Sequence, residues 1–398
     1  IGDGDTVGVV GTTAVGNSTT TDIDFGAGTY KFNGGTTFTA VSSGTMDMAA
    51  AVTFSTTNDS IEFATAGIAL ANGANLTIDT GAAAGDITVG GAITGDSQET
   101  VTLDAGTGTT SVAAIGSSTQ IGVLSIGSSD NGGITLNGAI VTDGAVSIDG
   151  PVTLATGAVS VTTADDAITF SHTIDGAQAL TLVSGTAATA IQDGIGESTA
   201  LSSLTITNGS ANGTIEIENI GGVTGATAIG NTSTATITLD GTTYTTTGAQ
   251  TYTAVTGGGN IDITGTNTTF TTTNSNVAFA TSGVDLANNG TTTINTGSGA
   301  GTVSFGAAIE ANGGNNDLLV ITSGTGDVTF TGAVAGTNAL GGLSVNASSG
   351  NGGITFTSTI GDGDTVGVVG TTAVGNSTTT DIDFGAGTYK FNGGTTFT

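Results

Sequence analysis

The chain has 398 residues: 70 are Gly, one is Pro, none is Cys or Trp, and 32 acidic residues stand against two Lys, a formal charge of −30. Neutralising phosphates takes Lys or Arg, so nucleic acid and anionic membrane surfaces are excluded as direct partners, and the lack of Cys excludes a disulfide framework and a thiolate metal site. Low-complexity acidic chains are often disordered, but a hydrophobic fraction of 36% and a mean hydropathy of +0.26 argue for a packed core.

The chain opens on Ile1-Gly2-Asp3-Gly4-Asp5 with no initiator Met and no apolar run of membrane-spanning length, and is expected to be a piece of something longer. Residues 1–39 recur unchanged as 360–398, an offset of 359. That identity predicts a tandem array in which 1–359 is one unit and 360–398 begins an identical next one. Met46 and Met48, on either side of Asp47, share a strand face and read as core fillers. Phe63-Ala-Thr-Ala-Gly-Ile-Ala-Leu-Ala-Asn72 is echoed by Phe279-Ala-Thr-Ser-Gly-Val-Asp-Leu-Ala-Asn288, an offset of 216. Another phrase occurs three times, at Ile115–Ile126, Ile195–Ile206 and Val334–Val345, with spacings of 80 and 139. The four offsets sit near whole multiples of roughly 20, which predicts one continuous β-solenoid over 1–398 with rungs of about 20 residues.

Short alternating triplets fill the middle of the chain: Val146-Ser-Ile148, Val152-Thr-Leu154, Val159-Ser-Val161, Ile168-Thr-Phe170 and Leu180-Thr-Leu182. Period-2 alternation of β-branched apolar residues with Ser or Thr is the pattern of a strand with one buried face. Gly, Asp and Asn between the triplets mark turns, and no window carries helical periodicity. Immunoglobulin-like sandwiches need longer strands and a large aromatic anchor. A solenoid tolerates very short strands because each pairs with the rungs on either side. The fold class expected is therefore all-β, a parallel β-helix.

Residues that could carry chemistry are few. Asp3 and Asp5, their copies Asp362 and Asp364, and Asp130 in Ser129-Asp-Asn-Gly132 place hard oxygen ligands in tight turns, and they are the candidate ligands for a structural Ca²⁺. No Gly-Gly-x-Gly-x-Asp nonapeptide array or EF-hand spacing accompanies them, so most are expected simply to form turns. Ser171, His172 and Asp175 lie close in sequence, but adjacent strand residues point to opposite faces and a triad must converge in space. Glycoside hydrolysis needs two carboxylates across a groove. Asp165-Asp166 or Asp3 and Asp5 could be recruited to it, but the only cations are Lys31 and its copy Lys390. No catalytic residue is assigned, and the chain is not expected to be an enzyme.

Ile168-Thr-Phe170 followed by Ile174-Asp-Gly-Ala-Gln-Ala-Leu-Thr-Leu182, the phrase Thr246-Thr-Gly-Ala-Gln-Thr-Tyr-Thr253, and the Leu-Thr-Ile/Leu-Ser-Val element resemble filamentous-haemagglutinin-type repeat adhesins over essentially the whole chain. The resemblance implies a right-handed parallel β-helix, secretion to the bacterial cell surface, and a role in adhesion or extracellular matrix. The family's secretion domain, an Arg-Gly-Asp motif and a carbohydrate-binding domain are all absent from the sequence. The function expected is that of a structural shaft segment of a giant secreted adhesin. Its partners would be further copies of its own repeat and other chains in lateral or end-to-end association. The alternatives are a self-assembling filament or sheath subunit and a glycan-active β-helix enzyme.

Overall fold

The computed structural model describes residues 8–127, 132–209, 212–287, 289–313, 316–346, 349–362 and 366–398. Among these there is no helix and every strand pairing is parallel. The strands stack as a β-solenoid of about 16 turns. The chain visits three faces, A, B and C, in cyclic order. In one turn it runs Val52–Thr56 on A, Ile61–Phe63 on B and Gly67–Leu70 on C, then returns to A at Leu76–Asp79, where Leu76 pairs with Val52. Two compact units are distinguished, Ile1–Asp193 and Gly194–Thr398. In the second the same cycle reads Asn260–Ile263, Thr269–Thr271, Val277–Phe279 and back to Gly283–Leu286.

The alternation predicted from the triplets is what builds the core. Ile168-Thr-Phe170 and its counterparts put both apolar residues inward and the Thr or Ser outward. Because neighbouring rungs pair in register, like residues stack above one another. On face C of the second unit, Phe279, Phe305, Phe330, Phe356 and Phe384 form a ladder with centroids 4.7–5.4 Å apart and rings within 10° of parallel. Met46 and Met48 are fully buried, as expected of core fillers.

Corners are where the backbone leaves the ladder, and their buried carbonyls need donors. A buried Thr or Ser recurs at the end of the preceding strand and donates its hydroxyl a few residues ahead. Thr80 donates to Gly85 O (2.6 Å), Thr246 to Gly248 O (2.6 Å), Thr296 to Gly301 O (2.8 Å) and Ser184 to Ala187 O (3.0 Å). Another corner is built on Gly-Asn-x-x-Thr. Asn231 N–H donates to Thr234 Oγ1 and Ser233 N–H to Asn231 Oδ1, and the same two bonds are made around Asn17 and Asn376. The Gly before each Asn has φ of +74° to +77°.

The rungs hold about 24 residues, not about 20. The expected length of about 20 fails because the internal repeats do not return to the same face. Ile195–Ile206 starts on face B, where Ile195 bridges Ile220 and Ile220 bridges Tyr244, and ends in Ser203–Thr207 on face C. Val334–Val345 starts on face A, where Val334 bridges Ile309, and ends in Gly342–Val345 on face B. Their 139-residue spacing is therefore not a whole number of turns. All corners ask the same thing of the chain, a bend between two inward apolar residues, so one phrase serves at any of them. The recurrences count corners, one about every 8 residues (24/3).

Candidate functional site

Among the described residues, the sequence candidates for chemistry do not converge. His172 Nε2 lies 3.3 Å from Asp149 Oδ1 on the neighbouring rung, and both side chains are substantially exposed. Asp175 sits further along the chain in Ile174–Asp175, in register with Thr153. Asp165 and Asp166 occupy an exposed turn, where Asp165 Oδ1 accepts from Thr186 N–H at 3.2 Å. Of the calcium candidates, Asp3, Asp5, Asp130 and Asp364 lie outside the described residues. Asp362 is exposed and its Oδ1 accepts from Val366 N–H at 3.0 Å. Among the described residues no group of three or more His, Asp or Glu is placed to hold a metal ion.

Carboxylates are nonetheless arranged in distinct ways. On face A of the second unit, parallel register sets Glu216, Thr238, Asp262, Asp285 and Glu310 in one outward column over successive rungs. Asn260 Nδ2 donates to both Asp262 and Asp285 at 2.5 Å. Burial, and then the charge of Asp285, push the Asp262 carboxyl above its usual range, with the Asn260 bond opposing them. Burial and the neighbouring Asp240 do the same to Glu216. Glu310 also spans to the next corner, accepting from Gly336, Thr337 and Asn338 N–H at 2.8–3.2 Å.

Two other acids are buried inside corners. Glu99 is pushed up by burial, but backbone N–H donors of Asp96, Glu99 itself, Gly73 and Gln98 outweigh this and hold it below the carboxylate range. Asp317 accepts from Asn289 N–H (2.6 Å) and Asn312 N–H (3.1 Å), yet burial wins and its carboxyl is raised. These acids act as corner clamps. The phrase around Gln250 is likewise structural: Gln250 Nε2 donates to Tyr244 O (2.8 Å) and Thr271 O (3.1 Å), and its Oε1 accepts from the buried Tyr252 hydroxyl at 3.1 Å. Sequence reading missed this core network, because Gln in a Thr-rich run reads as surface.

The remaining candidate is the duplicated 39-residue segment. Both copies lie in the same place on the rung. Thr13–Gly16 and Thr372–Val374 are on face B, and Asp22–Phe25 and Ile382–Phe384 on face C. Register is preserved to the residue: Val9 pairs with Phe32 as Val368 bridges Phe391, and Val15 pairs with Phe38 as Val374 with Phe397. At about 24 residues per rung, the offset of 359 corresponds to about 15 turns (359/24). Of the repeats read in the sequence, this one returns to its own face, with its apolar residues stacked in register in both places. No protein-family model, curated protein or solved structure matches this chain.

Proposed function

We propose that this chain is a structural shaft segment of an extracellular fibrous adhesin or matrix protein, of the filamentous-haemagglutinin kind its repeat phrasing resembles. The observation that carries the reading is the identical register of residues 1–39 and 360–398. A repeat that closes on a whole number of turns adds to a solenoid without a phase break, so length grows with copy number. The acidic surface supports the same reading, because 32 carboxylates against two Lys keep neighbouring shafts hydrated and apart.

Pulling single molecules of the 398-residue chain by its two ends tests this. A shaft built of rungs unravels in steps, each releasing one or a few turns of about 24 residues, or ~80 Å of extended chain per turn. A single all-or-none opening, or depolymerase activity on a glycan panel, would overturn the reading.

A further inference from the structure

The corner phrase at Ile115–Ile126 and at Val334–Val345 folds the same way in both places. Ile115 bridges Ile93 on face C and Val334 bridges Ile309 on face A. Ile93 and Ile309 are separated by 216 residues, the same offset that separates Phe63 and Phe279. Gly116 and Ala335 have φ of +66° and +54°, and their N–H groups donate to Ile93 O at 2.7 Å and to Ile309 O at 2.8 Å. Past the loop, Gly122 N–H donates to Glu99 O and Gly341 N–H to Asp317 O, both at 2.9 Å. Inside it lie Ser117-Ser118-Thr119 in one copy and Gly336-Thr337-Asn338 in the other. Successive N–H groups in such a turn face one point, the arrangement that gathers an anion.

In the second copy that point is taken by a carboxylate of the chain itself. Glu310, next to Ile309 on the rung before, accepts from Gly336 N–H at 3.2 Å on Oε1, and from Thr337 and Asn338 N–H at 2.9 and 2.8 Å on Oε2. In the first copy the residue next to Ile93 is Thr94. It carries no carboxylate, and its hydroxyl donates back to Ile68 O at 3.4 Å. Glu99, on the same rung, is committed to the N–H groups of Gly73, Asp96 and Gln98. Among the described residues no protein group accepts from the N–H of Ser117, Ser118 or Thr119, and all three residues are exposed. We infer that the Ser117–Thr119 corner is a carboxylate-binding site, which takes both oxygens of a ligand's carboxylate as the equivalent corner takes Glu310. Hydrogen bonds to an ionised acceptor are the strong ones, and three N–H groups supply them here. The loop itself is uncharged. The acids beside it are Asp96, in the turn whose Gly95 N–H donates to Thr119 O, and Asp143, whose N–H donates to Ile121 O.

Acetate is the probe, titrated into the full chain at physiological ionic strength, where the charge of −30 is screened beyond ~8 Å. Acetamide is the neutral control. The amide NMR resonances of Ser117, Ser118 and Thr119 are expected to move downfield and saturate with acetate and not with acetamide, while those of Gly336, Thr337 and Asn338 stay still. Thr94→Glu supplies the carboxylate that the other corner already has. It should abolish the acetate shifts and raise the midpoint of thermal unfolding, whereas Thr94→Gln should not raise it. Glu310→Ala makes the reverse change and should let acetate shift Gly336, Thr337 and Asn338 in turn. Shifts that do not saturate, or that are as large at turns elsewhere on the chain, would mean an adventitious ion only and overturn the site. So would a Thr94→Glu chain that still shows them. Movement of the same three amides on pH titration without acetate, lost in Asp96→Asn, would mean that the chain's own Asp96 fills the corner, and would overturn the site too. None of these outcomes touches the strand register on which the shaft reading rests.

Discussion

At Gly230 the backbone has φ +74° and an added Cβ would lie 2.3 Å from Thr253 O on the next rung. Gly257 has φ +79° but open space around its Cβ position. The pair separates two reasons for glycine. Gly257→Ala meets only the left-handed strain, about 1 kcal/mol. Gly230→Ala must also push two rungs apart, and is expected to cost about 2–3 kcal/mol by denaturant unfolding. Equal losses would show that rung spacing is not what constrains the corner. Carboxylates allow a second comparison, in pH. Asp262 has its folded pKa raised by burial and then by Asp285, so the folded state binds the proton more tightly than the unfolded one. Its ionisation therefore destabilises at neutral pH, and the deficit disappears as pH falls through the raised value toward the unfolded ~3.9. Asp262→Asn should raise the midpoint of thermal unfolding at pH 7 and leave it unchanged near pH 3. Glu99 has the opposite sign: backbone N–H donors override burial and lower its pKa, so it stabilises above its unfolded ~4.3 and that contribution is lost as pH falls through its folded value. Glu99→Gln should lower the midpoint at pH 7, with the difference narrowing in acid. A common sign for the two variants would refute the assignment of one as a column residue and the other as a corner clamp.

Within a rung the informative element is the inward Phe. Phe330 lies between Phe305 and Phe356 with centroids at 5.4 and 4.7 Å and rings 3° and 1° from parallel, fully enclosed. Phe330→Ala leaves a void that the fixed rung spacing cannot close, and should cost about 3–5 kcal/mol. A double-mutant cycle with Phe356 should return a coupling of about 0.5–1.5 kcal/mol, with zero coupling meaning that the stack is geometry without energy. The same residues show what was legible beforehand. Strand triplets, their buried side and the solenoid followed from alternation alone. The rung length did not follow from the repeated phrases, because those phrases belong to corners and recur at any of the three. It was readable in the Phe positions instead: 279, 305, 330, 356 and 384 are 26, 25, 26 and 28 apart, close to one turn each. Buried Thr such as Thr80 and Thr296 were also hidden, since the alternation assigns Thr outward and only the geometry shows a hydroxyl turned in to meet a corner carbonyl. For function, the duplicated segment was visible in the sequence as an identity, but the shared face and register of its two copies came only from the strand ladder.

For the molecule as a whole, phase is the property that counts, because faces stay aligned only when chain length between equivalent points is a full turn. In the first unit Val146 pairs with Ile168, a turn of 22 residues (168 − 146), and Val152 with Ile174 on the next face. Deleting residues 146–167 would bring Ile168 onto Leu124, where Val146 now sits, and Ile174 onto Ile134, the present partner of Val152. On the third face Leu182 would meet Ile140, now paired with Val161. Every inward residue keeps an apolar neighbour, so the shortened chain should fold with a calorimetric enthalpy lower by about 6%, the share of residues removed (22 of 398). Deleting 146–156 takes away half a turn and sends inward residues to corners and outward ones to the core, a change that flips the buried face. That variant should aggregate or lose its cooperative transition. If both deletions fold equally well, the ladder does not specify the chain's phase, and a shaft that extends by whole repeats would have no physical basis.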